Sequence, residues 1–336
     1  MAKRKTKSRK NSKKNSFLLY IIWALSAFIV IVAIFIAGYY TGYKSAENET
    51  LQLQKKQKQK LSALKEKLEV TNQLKNTYKM QARLKEVLKE DTKTYSSASH
   101  EIEDANLANP PKAIPSHQKV YTKRPKLAII IDDTSTASQV RAIKSLHIPL
   151  TMSFLPPSKA RPHSAELASK EPFYMVHLPM EALHFSAEEP LTMRVGDSQS
   201  DILERVKKMK QLFPRVHYIN NHTGSKFTSD EAAMNKLIYA FNKNHILFVD
   251  SRTTAQTKAP QVLKHYGMKY VSRDIFLDHH SDKAYIKEQI KKAVALAKKR
   301  GHAIAIGHPH KTTLEALYES RDLLKQVDLV QINQIY

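Results

Sequence analysis

From residue 126 onward, short apolar runs alternate with longer stretches of helical periodicity. The apolar runs are Leu127–Ile131, Leu150–Leu155, Phe173–Val176, Val216–Ile219, Ile246–Val249, Tyr270–Val271 and Ala303–Ile306. Each is too short for a helix and is closed by polar or turn-forming residues, so each predicts a buried strand. Helical patterns fill the gaps at 135–147, 198–212, 229–244, 258–266, 282–300 and 312–325. Strand–helix alternation predicts an α/β domain with a parallel sheet, open or closed into a barrel.

The N-terminal pattern is different. Residues 17–43 carry no charged side chain and are mostly large and apolar. A helix of about 20 such residues spans a bilayer. Tyr20 and Trp23 at one end, and Tyr39, Tyr40 and Tyr43 at the other, suit interfacial belts. The stretch exceeds the 7–15 apolar residues usual in a cleaved leader, and no small-x-small cleavage site follows, which predicts an uncleaved anchor. Residues 44–90 are rich in Lys, Gln, Glu and Leu and lack Gly and Pro. Leu61, Leu64 and Leu68, then Leu74 with Tyr78 and Leu84 with Leu88, form a narrow apolar seam whose register breaks near Thr71. Two readings stay open: a coiled coil that makes a homodimer through 46–90, or a solvated helical spacer. The prolines and serines of 91–125 predict a linker before a globular domain at 126–336.

Charge adds direction. Residues 1–90 hold 20 Lys/Arg against 6 Asp/Glu, so most of the net +24 lies in the N-terminal part. Eight basic residues between Lys3 and Lys14 precede the span, which places residues 1–16 in the cytoplasm and the rest outside the inner (cytoplasmic) membrane, in the periplasm. The basic residues show neither recognition-helix spacing nor interleaved aromatics, which argues against a nucleic-acid partner. With no cysteine in the chain, disulfides and thiolate chemistry are excluded.

Candidate chemistry gathers at strand ends, where α/β folds place their sites. The first strand ends in Asp132-Asp133, the third in His177, the fourth in Asn220-Asn221-His222, the fifth in Asp250 and the last in Gly307-His308-Pro309-His310. One of these carboxylates alone would suit a helix N-cap, but two adjacent ones predict a site. A rim of carboxylates and imidazoles points to a metal-dependent hydrolase. Of His308 and His310, His308 stands nearer the strand. Glu181 is either a site group or a surface carboxylate. Arg252 and Arg273 follow apolar runs and either could pair with a site carboxylate. His279-His280 is read as a surface pair.

Six stretches in order resemble the divergent polysaccharide deacetylases: Ile130–Asp133, His177–Glu181, Asn220–Ser225, Asp250–Thr253, Arg273–Asp278 and Ile306–His310. The resemblance spans about residues 126–336. It implies a distorted seven-stranded (β/α) barrel, a divalent metal cofactor with zinc foremost, and hydrolysis of an acyl group on an envelope polysaccharide or glycan. It implies Asp132 as general base, Asp133 as metal ligand and His308 as general acid. His177 matches the first histidine of the usual pair, but Glu181 stands at the second, so His222 is the expected replacement ligand. Asn221, Asp250, Arg252, Arg273, Asp274, His310 and Glu181 are further candidates around the site. The other class of function consistent with these departures is a non-catalytic glycan- or protein-binding module.

Overall fold

The structure is a computed structural model that describes residues 12–87 and 124–336 apart from Ser186. The chain divides into two compact units, residues 1–77 and 78–336. Helix α1 runs Ser12–Val87 without a break. Its apolar residues from Phe17 to Tyr43 are exposed, and it is the one helix among the described residues long and apolar enough to cross a membrane. Leu61, Leu64 and Leu68 are also exposed. The seam positions from Leu74 to Leu88 and the linker over 91–123 lie outside the described side chains.

In the C-terminal unit the expected strands appear as β1 (Lys126–Thr134), β2 (Thr151–Phe154), β3 (Met175–Met180), β4 (Tyr218–Thr223), β5 (Leu247–Asp250), β6 (Val271–Ser272) and, near the end, β8 (His302–Gly307). Two short strands add to them: β7 (Ile275–Phe276) and β9 (Asp328–Val330). All pair in parallel, in the order β6-β5-β4-β3-β2-β1-β8-β7, with β9 beside the start of β1. The stretch Val271–Leu277 joins both edges of the sheet. Its first half pairs with β5, and the Arg273 amide donates to Asp250 O at 3.0 Å. Its second half pairs with β8, where Asp274 and Leu277 amides donate to Ile304 O and Ile306 O at 2.8 Å each. The sheet thus curls into a barrel whose seam is one strand with two partners. The sequence pattern shows this strand only as Tyr270-Val271, because Arg273-Asp274 interrupts its apolar run.

Helices cover the outside: α2 (Ala137–Lys144), α3 (Ser164–Ser169), α4 (Gln199–Leu212), α5 (Ser225–Ser229), α6 (Glu231–Lys243), α7 (Ala259–His265), α8 (Lys283–Arg300), α9 (Lys311–Glu319) and α10 (Arg321–Leu324). Their starts are chemically marked. Ser198 with Asp201 closes a capping box on α4, and the Asp230 and Asp282 side chains cap α6 and α8. The predicted helix over 312–325 is split at Ser320 into α9 and α10.

Two apolar clusters show which side of each strand faces where. Leu127, Ile129, Ile131, Val176, Leu178, Ile219, Phe248, Ala303 and Ala305 pack outward under the helices. Ala128, Ile130, Met175, Val249, Ile304 and Ile306 fill the barrel interior. The period of two along a strand therefore assigns every later residue to a face.

Candidate active site

Continuing the inward rows toward the C-terminal edge gives Asp132 after Ile130, His177 after Met175, His222 after Asn220, Ser251 after Val249 and His308 after Ile306. The barrel interior changes from apolar to polar along each strand, and the polar ends meet at one rim. Strands β3 and β4 run further than their apolar runs predict, so His177 and Asn220–Thr223 lie inside paired strands rather than after them. Rigid strand backbone, not loop, carries these groups.

Asp133 breaks the alternation. By parity it belongs to the outer face with Ile131. The β1–β2 register shifts between Ile131 and Thr134, and Asp133 has φ 54°, a left-handed conformation costly for a residue with a Cβ. The bulge turns Asp133 to the same rim as Asp132. Thr223 and Arg252, also at strand ends, have φ 50° and 52°. Such strained backbone collects where a fold aims side chains at a site. Helix α2 does not use the carboxylates as caps. Thr136 and Gln139 form its capping box, with Gln139 Oε1 accepting from the Thr136 amide at 3.0 Å.

Asp133, His177 and His222 converge, each offering one donor atom within 4.8 Å of the others. Asp133 Oδ1 lies 3.1 Å from His222 Nδ1 and 3.5 Å from His177 Nε2. Four ligands about 2.1 Å from a tetrahedral zinc stand about 3.4 Å apart, and the two separations bracket that edge. One carboxylate oxygen with two imidazole nitrogens is also a borderline donor set suited to zinc and its neighbours. The three side chains therefore fit a divalent ion. Burial alone would raise the Asp133 carboxyl; His222, at hydrogen-bond distance, and then His308 and His177 hold it well below the usual carboxylate range.

Asp132 is held separately. Asn220 Nδ2 donates to its two oxygens at 2.9 and 2.8 Å and contacts Ser251 Oγ at 3.0 Å, while Asn220 Oδ1 accepts from Ser153 Oγ at 2.6 Å. His177 Nδ1 stands 3.6 Å from Asp132 Oδ2. All of these groups are buried. Across the rim, His308 Nδ1 lies 3.1 Å from Asp278 Oδ1. Asp278 Oδ2 accepts from the His308 amide and from Thr313 Oγ1, both at 2.7 Å. Burial opposes the Asp278 charge, but His308 and these donors pull its carboxyl below the ordinary range. A carboxylate fixed on one imidazole nitrogen stabilises the doubly protonated ring, which suits His308 to hold and release a proton.

The model of the family described as divergent polysaccharide deacetylase matches residues 129–336. The chain belongs to the divergent polysaccharide deacetylases. An uncharacterized protein of Haemophilus influenzae is 31% identical over 214 residues, which are 63% of this chain and 76% of the relative. The uncharacterized protein YibQ of Escherichia coli (strain K12) is 35% identical over 202 residues, 58% of this chain and 61% of YibQ. Among solved structures, an uncharacterized protein from Agrobacterium tumefaciens C58 shares the fold with TM-score 0.57 at 18% identity, covering 65% of this chain and 91% of that one.

In this member of the family the remaining candidates make contacts of other kinds. Glu181 lies outside the Asp133 cluster: its Oε1 takes Lys226 Nζ at 2.6 Å and its Oε2 the Val195 amide at 2.8 Å, tying α5 to the loop that holds Val195. Asn221 and Asp250 sit on outward rows. Asn221 bridges Thr223 O and the Ser251 amide, and Asp250 accepts from the Arg252 amide, Thr257 and Tyr270. Arg273 is fully buried and donates to Ser251 O at 2.7 Å and Arg252 O at 2.9 Å. Its burial, with Arg252 nearby, pulls its guanidinium down to about 10. Its hydrogen bonds go to backbone rather than to a site carboxylate. Arg252 is buried, and its Nε and Nη1 have no hydrogen-bond partner among the described residues. Asp274 braces Arg300 at 3.1 Å and the Ile304 amide at 2.9 Å. His279 is buried at 8% exposure, not on the surface, while its neighbour His280 is exposed. The reason is ring packing: His279 meets Phe276 at 6.1 Å between centroids. Ser153 lies outside every motif stretch, while Asn220, Ser251 and Asp278 lie inside them without an assigned role; inward parity on β2, β4 and β5 finds Ser153, Asn220 and Ser251.

Proposed function

We propose that this chain is a membrane-anchored hydrolase that removes acyl groups, acetyl first among them, from an envelope glycan. The observation that carries the reading is the cluster of half-buried Asp133 with buried His177 and His222, flanked by a base-type carboxylate held by Asn220 and by an Asp278–His308 pair. Asp133, His177 and His222 would hold a divalent ion, zinc foremost, which supplies Lewis-acid activation of a water and of an acyl carbonyl. Asp132 takes the proton of the attacking water. Asn220, which donates to both of its oxygens, keeps the carboxylate oriented for that transfer. His308, its Nδ1 anchored on Asp278, gives a proton to the departing amine or alcohol as the acyl–heteroatom bond breaks. An open groove of about 500 Å³ begins two residues past Asp133 and is lined by Ser135, Thr136, Arg161, His163 and Leu167. It is the proposed seat of a neighbouring sugar.

The exposed apolar span of α1, preceded by Lys- and Arg-rich residues, supports a single-pass anchor in the inner membrane with the domain on the periplasmic side. The exposed Leu61, Leu64 and Leu68 support pairing of two copies along the helix. The test is metal content of the purified chain beside Asp133→Ala and His222→Ala, followed by acetate release from acetylated glycans. One tightly bound zinc per chain, lost in both variants, with acetate release lost in parallel, is the expected result. Wild-type protein that takes up no metal after reconstitution would refute it and favour a glycan- or protein-binding module. The commitment of Glu181 to Lys226 is the observation on the side of that second reading.

A further inference from the structure

The structure assigns a second divalent-cation site to Asp278, His308 and His310, on the strand-end turns after β7 and β8. One donor atom of each lies within 4.8 Å of the other two. The 3.1 Å between His308 Nδ1 and Asp278 Oδ1 is close to the edge of about 3.4 Å expected between two ligands of one tetrahedral ion. The carboxylate is already oriented: Asp278 Oδ2 is fixed by the His308 amide and Thr313 Oγ1 at 2.7 Å each, the kind of outer support that ligating carboxylates receive. Asp278 and His308 are buried, whereas His310 is half-buried and gives a route in from solvent. The rings of His308 and His310 lie 5.8 Å apart and 28° from parallel across Pro309.

Proton transfer accounts for Asp278 and His308 but has no use for His310. A cation uses all three. Two imidazoles with one carboxylate select zinc, cobalt or nickel over magnesium or calcium. The consequence rests on the hydrolase reading above. An imidazole that gives one nitrogen to a cation cannot carry two protons, so a filled second site removes the proton His308 would donate. The protein would then have a tight site that supports the reaction and a weaker one, formed with the acid, that halts it when the metal is in excess.

The test is titration of the metal-stripped full-length chain in detergent with Zn²⁺ alone, against a chelating dye. Wild type should bind two equivalents, the second weaker by about tenfold or more. His310→Ala should lose the weak equivalent and keep the tight one, and retention of the tight one shows that the variant is folded. Asp278→Asn should behave in the same way. His222→Ala reports on the other cluster and should lose the tight equivalent only, so failure of the Asp133 assignment is distinguishable from failure of this one. Wild type that saturates at one equivalent, or a weak equivalent that survives both His310→Ala and Asp278→Asn, would overturn the second site.

Discussion

Asn220 offers the sharpest test of how the rim is built. Asn220→Leu keeps the volume of the side chain and removes its hydrogen bonds. Three interactions disappear, all buried: the donation to Asp132, the contact with Ser251 Oγ and the acceptance from Ser153 Oγ. A hydrogen bond to a charged group contributes about 1.5–3 kcal/mol and a neutral one about 1, so the expected loss is about 4 kcal/mol. That is a large share of the 5–15 kcal/mol typical of a whole domain, on the order of a third of it. The sole tryptophan, Trp23, belongs to α1 and not to the barrel domain. Pulse proteolysis in urea, with a chelator present so that no ion contributes, reads the domain instead. A cycle with Asp132→Ala isolates the pair, with an expected coupling of about 2 kcal/mol. A single-variant loss below about 1 kcal/mol, or additivity within about 0.5 kcal/mol, would refute the proposed support of Asp132.

Gly224→Ala should destabilise by about 2–4 kcal/mol, because the added Cβ would lie 2.8 Å from Met180 Cβ at φ +89°; a urea midpoint equal to wild type counts against this. Glu181→Gln should leave zinc content unchanged, and metal loss would move Glu181 into the ligand set. The same substitution carries a pH signature. Glu181 is shifted below its ordinary 4.5, since burial, which raises it, is outweighed by Lys226 and the Val195 amide. Its folded pKa is therefore depressed, so the small advantage of wild type over Glu181→Gln is present above pH 4.5 and fades as pH falls through the lowered value. A stability difference that grows toward acid would contradict that sign. For topology, a cysteine introduced at Ser8 should be protected from a membrane-impermeant maleimide in intact spheroplasts and one at Ser198 labelled; the reverse pattern rejects the proposed orientation.

Much of the fold is legible because the seven longer strands have apolar runs and the longer helices a period, while β7, β9 and the short helices α3, α5 and α10 give no such signal. What escapes is what pairing alone creates. Val271–Leu277 reads as a two-residue run because charged Arg273-Asp274 sits where the strand changes partner. Within the site, the motif residues Asp132, Asp133, His177, His222 and His308 stand out as polar groups on apolar runs. Asn221 and Asp250 stand out for the same reason yet occupy outward rows, where they brace loops. Ser153 and Ser251 face inward but are too common a residue type to be noticed. Parity separates these cases, except at Asp133, whose bulge no local pattern announces. Asp278 follows a strand too short to read from sequence, so its partnership with His308 emerges only when β7 docks on β8.

The pairing of β1 with both β2 and β8 also bears on how the protein is made. Asp133 and His308 stand about 175 residues apart in sequence yet close one rim. Closing a loop of that length is slow, and parallel pairing at long range delays folding. Until β8 arrives, β1 presents an unpaired edge of consecutive apolar residues, Leu127–Ile131, to whatever surrounds the nascent domain. The rim that gathers the carboxylates and imidazoles is thus completed by the last large strand to dock. A chain interrupted anywhere before β8 would hold Asp132 and Asp133 on an open, aggregation-prone edge without the histidine opposite, so the proposed site is complete only in the finished barrel.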